Sequence, residues 1–171
     1  MRLPDAEALL AALTEQMRAG ITRETALVGI HTGGVWLAER LHAALSLLPP
    51  LGTLDVSFYR DDYERIGLHR GVQPSDIPFD VNGRHLVVVD DVLYTGRTIR
   101  AAMNELFDYG RPASVRLAAL VDRGGRELPI CAQFVAATVN VGRDEHVELM
   151  RDESGLLSLA VNRLPRKTRA S

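Results

Sequence analysis

Asp90 and Asp91 stand side by side at the end of the apolar run Leu86-Val87-Val88-Val89, and Val92-Leu93-Tyr94-Thr95-Gly96-Arg97-Thr98 follows. An apolar run of this kind, bounded by turn residues, fits a strand buried on both faces of a parallel sheet. In open α/β sheets, ligands bind just past the carboxyl ends of such strands. Two carboxylates at that edge can accept hydrogen bonds from neighbouring hydroxyls. The Thr95-Gly96-Arg97-Thr98 turn opens a helix, so its backbone N–H groups can point at an anion. One segment therefore offers acceptors for sugar hydroxyls and donors for a phosphate, which suits a phosphorylated ribose. The plainer alternative is a βα unit whose acids cap the next helix, and the Thr-Gly-Arg-Thr stretch weighs against it.

Three further strand ends carry similar chemistry. His31-Thr32-Gly33-Gly34 closes the first strand, and two glycines let the backbone approach an anion with no Cβ between. A tight strand-to-helix turn would use the same residues. Tyr59-Arg60-Asp61-Asp62 closes the second strand, where Arg60 could clamp a pyrophosphate bidentately or pair with an adjacent acid. Val121-Asp122-Arg123-Gly124-Gly125-Arg126-Glu127-Leu128-Pro129 closes the fourth, again setting charge beside bare backbone. A loop laced with salt bridges is the competing reading there. By the crevice rule all of these ends share one edge of the sheet.

The positioning elements follow from periodicity and punctuation. Asp5 caps a helix predicted over Ala6–Ala19, with Leu9, Leu10, Leu13 and Met17 on its apolar face. Thr25–His31 reads as a strand, and Val35–Leu48 as a helix stopped by Pro49-Pro50. Leu54–Tyr59 and His85–Asp90 read as strands, separated by the irregular stretch Arg60–Arg84. A structureless run that long tends to be functional, and a flexible loop is expected over 61–83, closing over the site to exclude water. Thr98–Tyr109 reads as a helix ended by Gly110 and Pro112, and Val115–Val121 as a strand. Beyond it, Phe134–Val139, His146–Leu149 and Leu156–Val161 read as short antiparallel strands. The expected fold class is α/β, a parallel sheet flanked by helices with a small antiparallel β element. One domain is expected over 1–171, with its core at about 20–125, the added element at about 126–161 and a solvated basic tail over 162–171.

Composition narrows the function classes. The chain has 171 residues, 46% of them hydrophobic and 25% charged, as in an ordinary single globular domain. No apolar run reaches the roughly 18–20 residues of a membrane span. The first residues lack the basic-then-apolar pattern of a secretory signal, and Cys131 is the lone cysteine; both suit the cytoplasm. A net charge of −2 argues against a protein whose main task is coating nucleic acid. The cations are arginines apart from Lys167. Arginine suits bidentate phosphate contacts.

These blocks, in this order, resemble the PyrR-type members of the type I phosphoribosyltransferases. The resemblance rests on Gly29-Ile30-His31-Thr32, Phe58-Tyr59-Arg60-Asp61-Asp62, Val89-Asp90-Asp91-Val92-Leu93-Tyr94-Thr95-Gly96-Arg97-Thr98 and Val121-Asp122-Arg123-Gly124 with Arg126-Glu127-Leu128-Pro129-Ile130. It runs from about Val28 to Leu149. It implies the type I phosphoribosyltransferase sheet with an antiparallel hood, and transfer of 5-phosphoribosyl from phosphoribosyl pyrophosphate (PRPP) to uracil, giving UMP. It further implies Asp90 and Asp91 on the ribose hydroxyls and, indirectly, on Mg2+ that accompanies PRPP. Tyr94, Thr95, Gly96, Arg97 and Thr98 would hold the 5′-phosphate. Thr32, Gly33, Gly34 and Arg60 would hold pyrophosphate, and Arg123 would cover the base. A homodimer or higher homo-oligomer and a role on pyrimidine leader mRNA are implied as well.

The chain departs from the family pattern at several positions. Gly33 stands where the family usually has arginine, and Gly125 where it usually has histidine. Cys131 and Ala136-Ala137-Thr138 replace residues of basic character. Two alternatives therefore stay open: a UMP- or PRPP-sensing RNA-binding regulator with little or no catalysis, and a phosphoribosyltransferase for another base.

Overall fold

A computed structural model describes residues 2–56 and 74–164. Helix α1 spans Ala6–Gly20, and the Asp5 carboxylate caps it by accepting the N–H groups of Glu7 and Ala8 at 2.8 and 3.1 Å. Strand β1 is Ala26–Ile30, five apolar or glycine residues that are all buried. Helix α2 spans Gly33–Leu45, so the glycine pair expected as a turn forms the first turn of the helix itself. The helix also ends before the prolines: Ser46 takes a left-handed conformation (φ 50°), and the Ser46 N–H donates to Ala43 O. Strand β2 is the short Gly52–Leu54.

Strand β3, His85–Leu93, runs through both aspartates rather than stopping at them. Its neighbour keeps pairing to the end, with Leu93 opposite Asp122. Helix α3 (Arg97–Tyr109) and strand β4 (Ser114–Asp122) follow. Strand β5, Phe134–Thr138, corrects the expectation of an antiparallel element: it pairs parallel to β4, with Ala118 opposite Phe134. A period-2 pattern carries no strand direction, and the stretch 123–133 supplies the crossover that parallel pairing requires. Strands β6 (Glu145–Arg151) and β7 (Leu157–Arg163) form the antiparallel hairpin the sequence predicts.

Of the irregular stretch before β3, residues 57–73 lie outside the described residues. The part from 74 onward packs along the sheet edge. Asp76 and Thr53 exchange backbone hydrogen bonds at 2.7 and 2.9 Å, and Val81 is buried.

The main sheet has the order β2-β1-β3-β4-β5, parallel throughout. Successive side chains of a strand face opposite ways, and β3 uses both faces. Val87 and Val89 enter the core shared with α1 and α2, and Leu86 and Val88 enter the core shared with α3. Each such buried side chain contributes about 1.5–3 kcal/mol. At the β5 edge, the Gln16 side-chain amide of α1 donates to Val135 O (3.0 Å) and accepts the Val135 N–H (3.2 Å). It covers an exposed edge as a neighbouring strand would.

Candidate active site

The chain order around β1 and β3 creates a crevice. From β1 the chain moves outward to β2 by way of α2, and from β3 it moves the other way to β4 by way of α3. The two helices accordingly lie on opposite faces of the sheet. Such a topological switch point is where open α/β sheets bind ligands. The turns after β1 and β3, Thr32–Gly34 and Tyr94–Gly96, both open there.

Both turns lead into helix N-termini prepared for anions. Neither Thr32 nor Gly96, the N-cap residues of α2 and α3, makes a side-chain cap, and neither helix has an acid in its first turn. By contrast, α1 has an aspartate cap and Glu7 in its first turn. The Arg97 N–H is taken by the Thr95 hydroxyl at 3.2 Å, and N-terminal N–H groups without such a partner carry partial positive charge. Two such ends flanking one crevice suit a ligand with two separated anionic groups.

The aspartates stand between them. Asp90 and Asp91 are only 6% and 8% exposed. One oxygen of each is fixed by backbone: Asp90 Oδ1 accepts the Asp91 N–H (3.0 Å), and Asp91 Oδ1 accepts the Val92 N–H (2.9 Å). Asp91 lies on the α2 side of the strand, against Gly33, and a Cβ on Gly33 would lie 2.8 Å from the Asp91 Cγ. Gly34 sits against backbone, where a Cβ would meet Val89 O and stand 3.2 Å from the Asp90 Cα. The two glycines thus bring the start of α2 onto the acids. The absence of a side chain at position 33 has a direct steric counterpart in the Asp91 carboxylate.

On the other side, Thr95 is buried and its Oγ1 accepts the Arg97 N–H (3.2 Å). Gly96 adopts φ +93°, a left-handed conformation that favours glycine, and a Cβ there would lie 3.0 Å from the Ile130 side chain. Arg97 and Thr98 begin α3. The Arg97 guanidinium pairs with Glu127 at 2.7 Å.

Arg123 is 9% exposed, and its guanidinium stacks over the Tyr94 ring, 3.9 Å from the centroid. Its Nη1 and Nη2 donate to Glu145 O (2.7 Å) and Gly142 O (3.3 Å), at the start of the β6–β7 hairpin. Its Nε is buried with no hydrogen-bond partner. Arg123 therefore links the hairpin to the loop after β3.

Arg126, which sequence reading left among salt-bridged loop residues, spans three groups. Nε donates to Ile130 O (2.8 Å), Nη1 to Tyr94 O (2.6 Å), and Nη2 to the Asp122 carboxylate. Burial raises the pKa of Asp122, but hydrogen bonds from Arg126 and the Gly124 N–H outweigh it and hold the carboxyl below its ordinary value. The signal available in the sequence was the spacing of Asp122 and Arg126 around the glycine pair.

Arg60, assigned to pyrophosphate from the sequence, lies outside the described residues. The structure brings Gly33 onto Asp91 and Gly34 onto Asp90, and stacks Arg123 on Tyr94. No group of three or more metal-ligating side chains occurs among the described residues. No helix among them is long and apolar enough to cross a membrane.

Residues 2–146 match the family model described as "Phosphoribosyl transferase domain". The chain is 57% identical over 155 residues to "Bifunctional protein PyrR" of Pseudomonas paraeruginosa, covering 88% of this chain and 91% of that protein. It is 56% identical over 143 residues to the protein of the same name from Nitrosococcus oceani, covering 82% and 81%. Among solved structures, the hypoxanthine phosphoribosyltransferase of Trypanosoma cruzi superposes with a TM-score of 0.64 at 18% identity, covering 95% of this chain and 96% of that one. That similarity extends to the fold. With the crevice, the paired acids and these relatives together, the chain belongs to the PyrR family of phosphoribosyl transferase domain proteins.

Proposed function

We infer that this protein transfers 5-phosphoribosyl from PRPP to N1 of uracil, giving UMP and pyrophosphate. The observation that carries the reading is the crevice between two helix N-termini that have no acid in their first turns, with the buried Asp90 and Asp91 beside it. PRPP has a matching layout: a 5′-phosphate at one end, a pyrophosphate at the other, and two hydroxyls between.

The N-terminus of α3, with Tyr94 to Thr98, would hold the 5′-phosphate. The Thr32–Gly34 turn, together with Arg60, would hold the pyrophosphate. Cleavage of the C1–O bond leaves the electron pair on pyrophosphate and builds positive charge on the ribose. Asp90 and Asp91 would fix the hydroxyls and stabilise that charge; such electrostatic complementarity is usually the largest catalytic contribution. Uracil N1 then bonds to C1, and its proton passes to the departing pyrophosphate. Arg123 and the β6–β7 hairpin would cover the base.

Two near-buried carboxylates beside an anion site fit Mg2+ delivered on the substrate, since that ion is held by one or two carboxylates plus phosphate oxygens. Asp90 and Asp91 would hold it, and it would neutralise charge on the leaving pyrophosphate. The reaction belongs in the cytoplasm, and the free thiol of Cys131 suits that reducing compartment. Assembly as a homodimer or larger homo-oligomer completes the reading and is measurable by light scattering.

Purified protein mixed with Mg2+, PRPP and labelled uracil should yield labelled UMP, with hypoxanthine and orotate run in parallel. Product with another base alone would replace the uracil assignment, and no product with any base would remove catalysis. The word "Bifunctional" in the relatives' name favours a second role in pyrimidine gene regulation through leader mRNA. A UMP-enhanced, salt-sensitive shift of leader RNA would support it, and no shift at low salt would remove it.

A further inference from the structure

The segment after Gly125 lies along the back of the phosphate loop. The Tyr94 carbonyl accepts from Arg126 Nη1 at 2.6 Å. The Thr95 carbonyl accepts from the N–H groups of Glu127 and Leu128 at 3.0 and 3.1 Å. Gly96 packs against Ile130 and Leu128, and Arg97 pairs with Glu127. Three consecutive loop residues and the first residue of α3 are thus gripped by residues 126–130.

The grip has a geometric consequence. In a planar trans peptide, the carbonyl of one residue and the N–H of the next point in opposite directions. The peptides joining Tyr94 to Thr95 and Thr95 to Gly96 are trans. Fixing the Tyr94 carbonyl on Arg126 therefore aims the Thr95 N–H away from residues 126–130, and fixing the Thr95 carbonyl aims the Gly96 N–H likewise. Away from that segment lies the crevice where α3 begins.

We propose that Arg126 is a positioning residue for phosphate binding: it holds the loop after β3 in the conformation that presents its N–H groups to the 5′-phosphate. Its guanidinium reaches Tyr94 O, Ile130 O and Asp122 with one nitrogen each. Asp122 ends β4, so the loop is referenced to the sheet through this pair. Lysine cannot replace the arginine, because one ammonium cannot span three separated acceptors in a fixed plane. The inference deepens the phosphoribosyltransferase reading and rests on it for the identity of the phosphate.

The test compares wild type with Arg126→Lys, Arg126→Gln and Asp122→Asn. Calorimetric binding of ribose 5-phosphate is read beside steady-state kinetics and thermal melting. Losing a charge-assisted hydrogen bond corresponds to roughly a tenfold or greater loss of affinity. We therefore expect the arginine variants to bind ribose 5-phosphate about tenfold or more weakly and to raise the KM for PRPP similarly. The KM for uracil should stay within about twofold, the magnitude of an unperturbed contact. Asp122→Asn should show the same pattern, weaker.

Folded variants that bind ribose 5-phosphate like wild type would overturn the proposal. So would variants whose only change is a lower melting temperature with unaltered KM values. If wild type binds ribose 5-phosphate but makes no nucleotide, the catalytic reading fails while a selective binding loss still supports Arg126 as a positioning residue. If wild type binds no ribose 5-phosphate, both fall.

Discussion

Gly33 at the start of α2 and Asp91 near the end of β3 meet so closely that a methyl group on the glycine would lie 2.8 Å from the Asp91 Cγ. Asp91 Oδ1 is at the same time held by the Val92 N–H. A side chain at position 33 has to displace a carboxylate at the centre of the site.

Gly33→Ala should therefore act on substrate rather than on the fold. The obstructing atoms belong to the end of a side chain, which can rotate away. We expect a melting temperature close to wild type and a KM for PRPP raised about tenfold, the loss of one oriented charge-assisted contact. Kinetics at saturating uracil check this; an unchanged KM would show that Asp91 does not need its present orientation.

Gly34→Ala should do the reverse. Its Cβ would meet the Val89 carbonyl and the Asp90 Cα, which are backbone of the central strand. Overpacking of this kind costs about 1–3 kcal/mol. Chemical denaturation should show a lower midpoint with activity reduced in proportion to the unfolded fraction.

Asp90→Asn with Asp91→Asn removes both charges and keeps both shapes. Turnover should fall about 100-fold or more, the scale of losing a preorganised electrostatic group. Circular dichroism should stay native. Near-normal activity would refute the assignment of these carboxylates to the ribose.

Arg123→Met keeps an apolar stem against Tyr94 but leaves Glu145 O and Gly142 O without their guanidinium donors. The hairpin should then sit loosely over the base. The KM for uracil should rise about tenfold, with a smaller change for PRPP. Competitive inhibition by uracil analogues would report the same loss without turnover.

Acid stability follows from Glu7. The Arg40 hydrogen bond, then the Leu157 N–H, hold its carboxyl below its ordinary value of 4.5. A depressed folded pKa gives stability that is complete above the unfolded value and disappears as pH falls through the folded one. Glu7→Gln should melt about 1–3 °C below wild type at pH 7, the range of a partly exposed ion pair. That gap should close on acidification below pH 4.5. A gap that is constant with pH would assign the effect to packing instead.

The central strand and its acids were legible because a long apolar run followed by two carboxylates has few other readings. The first turn of α2 was not, because Gly33-Gly34 has poor helix propensity. What decides it is the approach of α2 to β3, a tertiary contact. The direction of β5 was hidden because alternation of side chains is the same in parallel and antiparallel strands. Arg123 is expected from the sequence at the base, but its hold on two hairpin carbonyls is marked by no motif. Arg126 escaped because its partners are mostly backbone carbonyls, which every residue carries and no motif marks.

Glu7 also joins distant parts of the chain. Its carboxylate accepts the N–H of Leu157, 150 residues further along, and Gln16 on the same helix pairs with Val135, 119 residues on. Helix α1 thus ties β5 and the β6–β7 hairpin to the same surface that its ion pair with Arg40 joins to α2. Its apolar face, Leu9, Leu10, Leu13 and Met17, joins a core that takes in α2, β3, β4 and the hairpin. A chain that lost α1 would therefore uncover apolar surface on both the sheet and the hairpin at once, the kind of surface that drives aggregation.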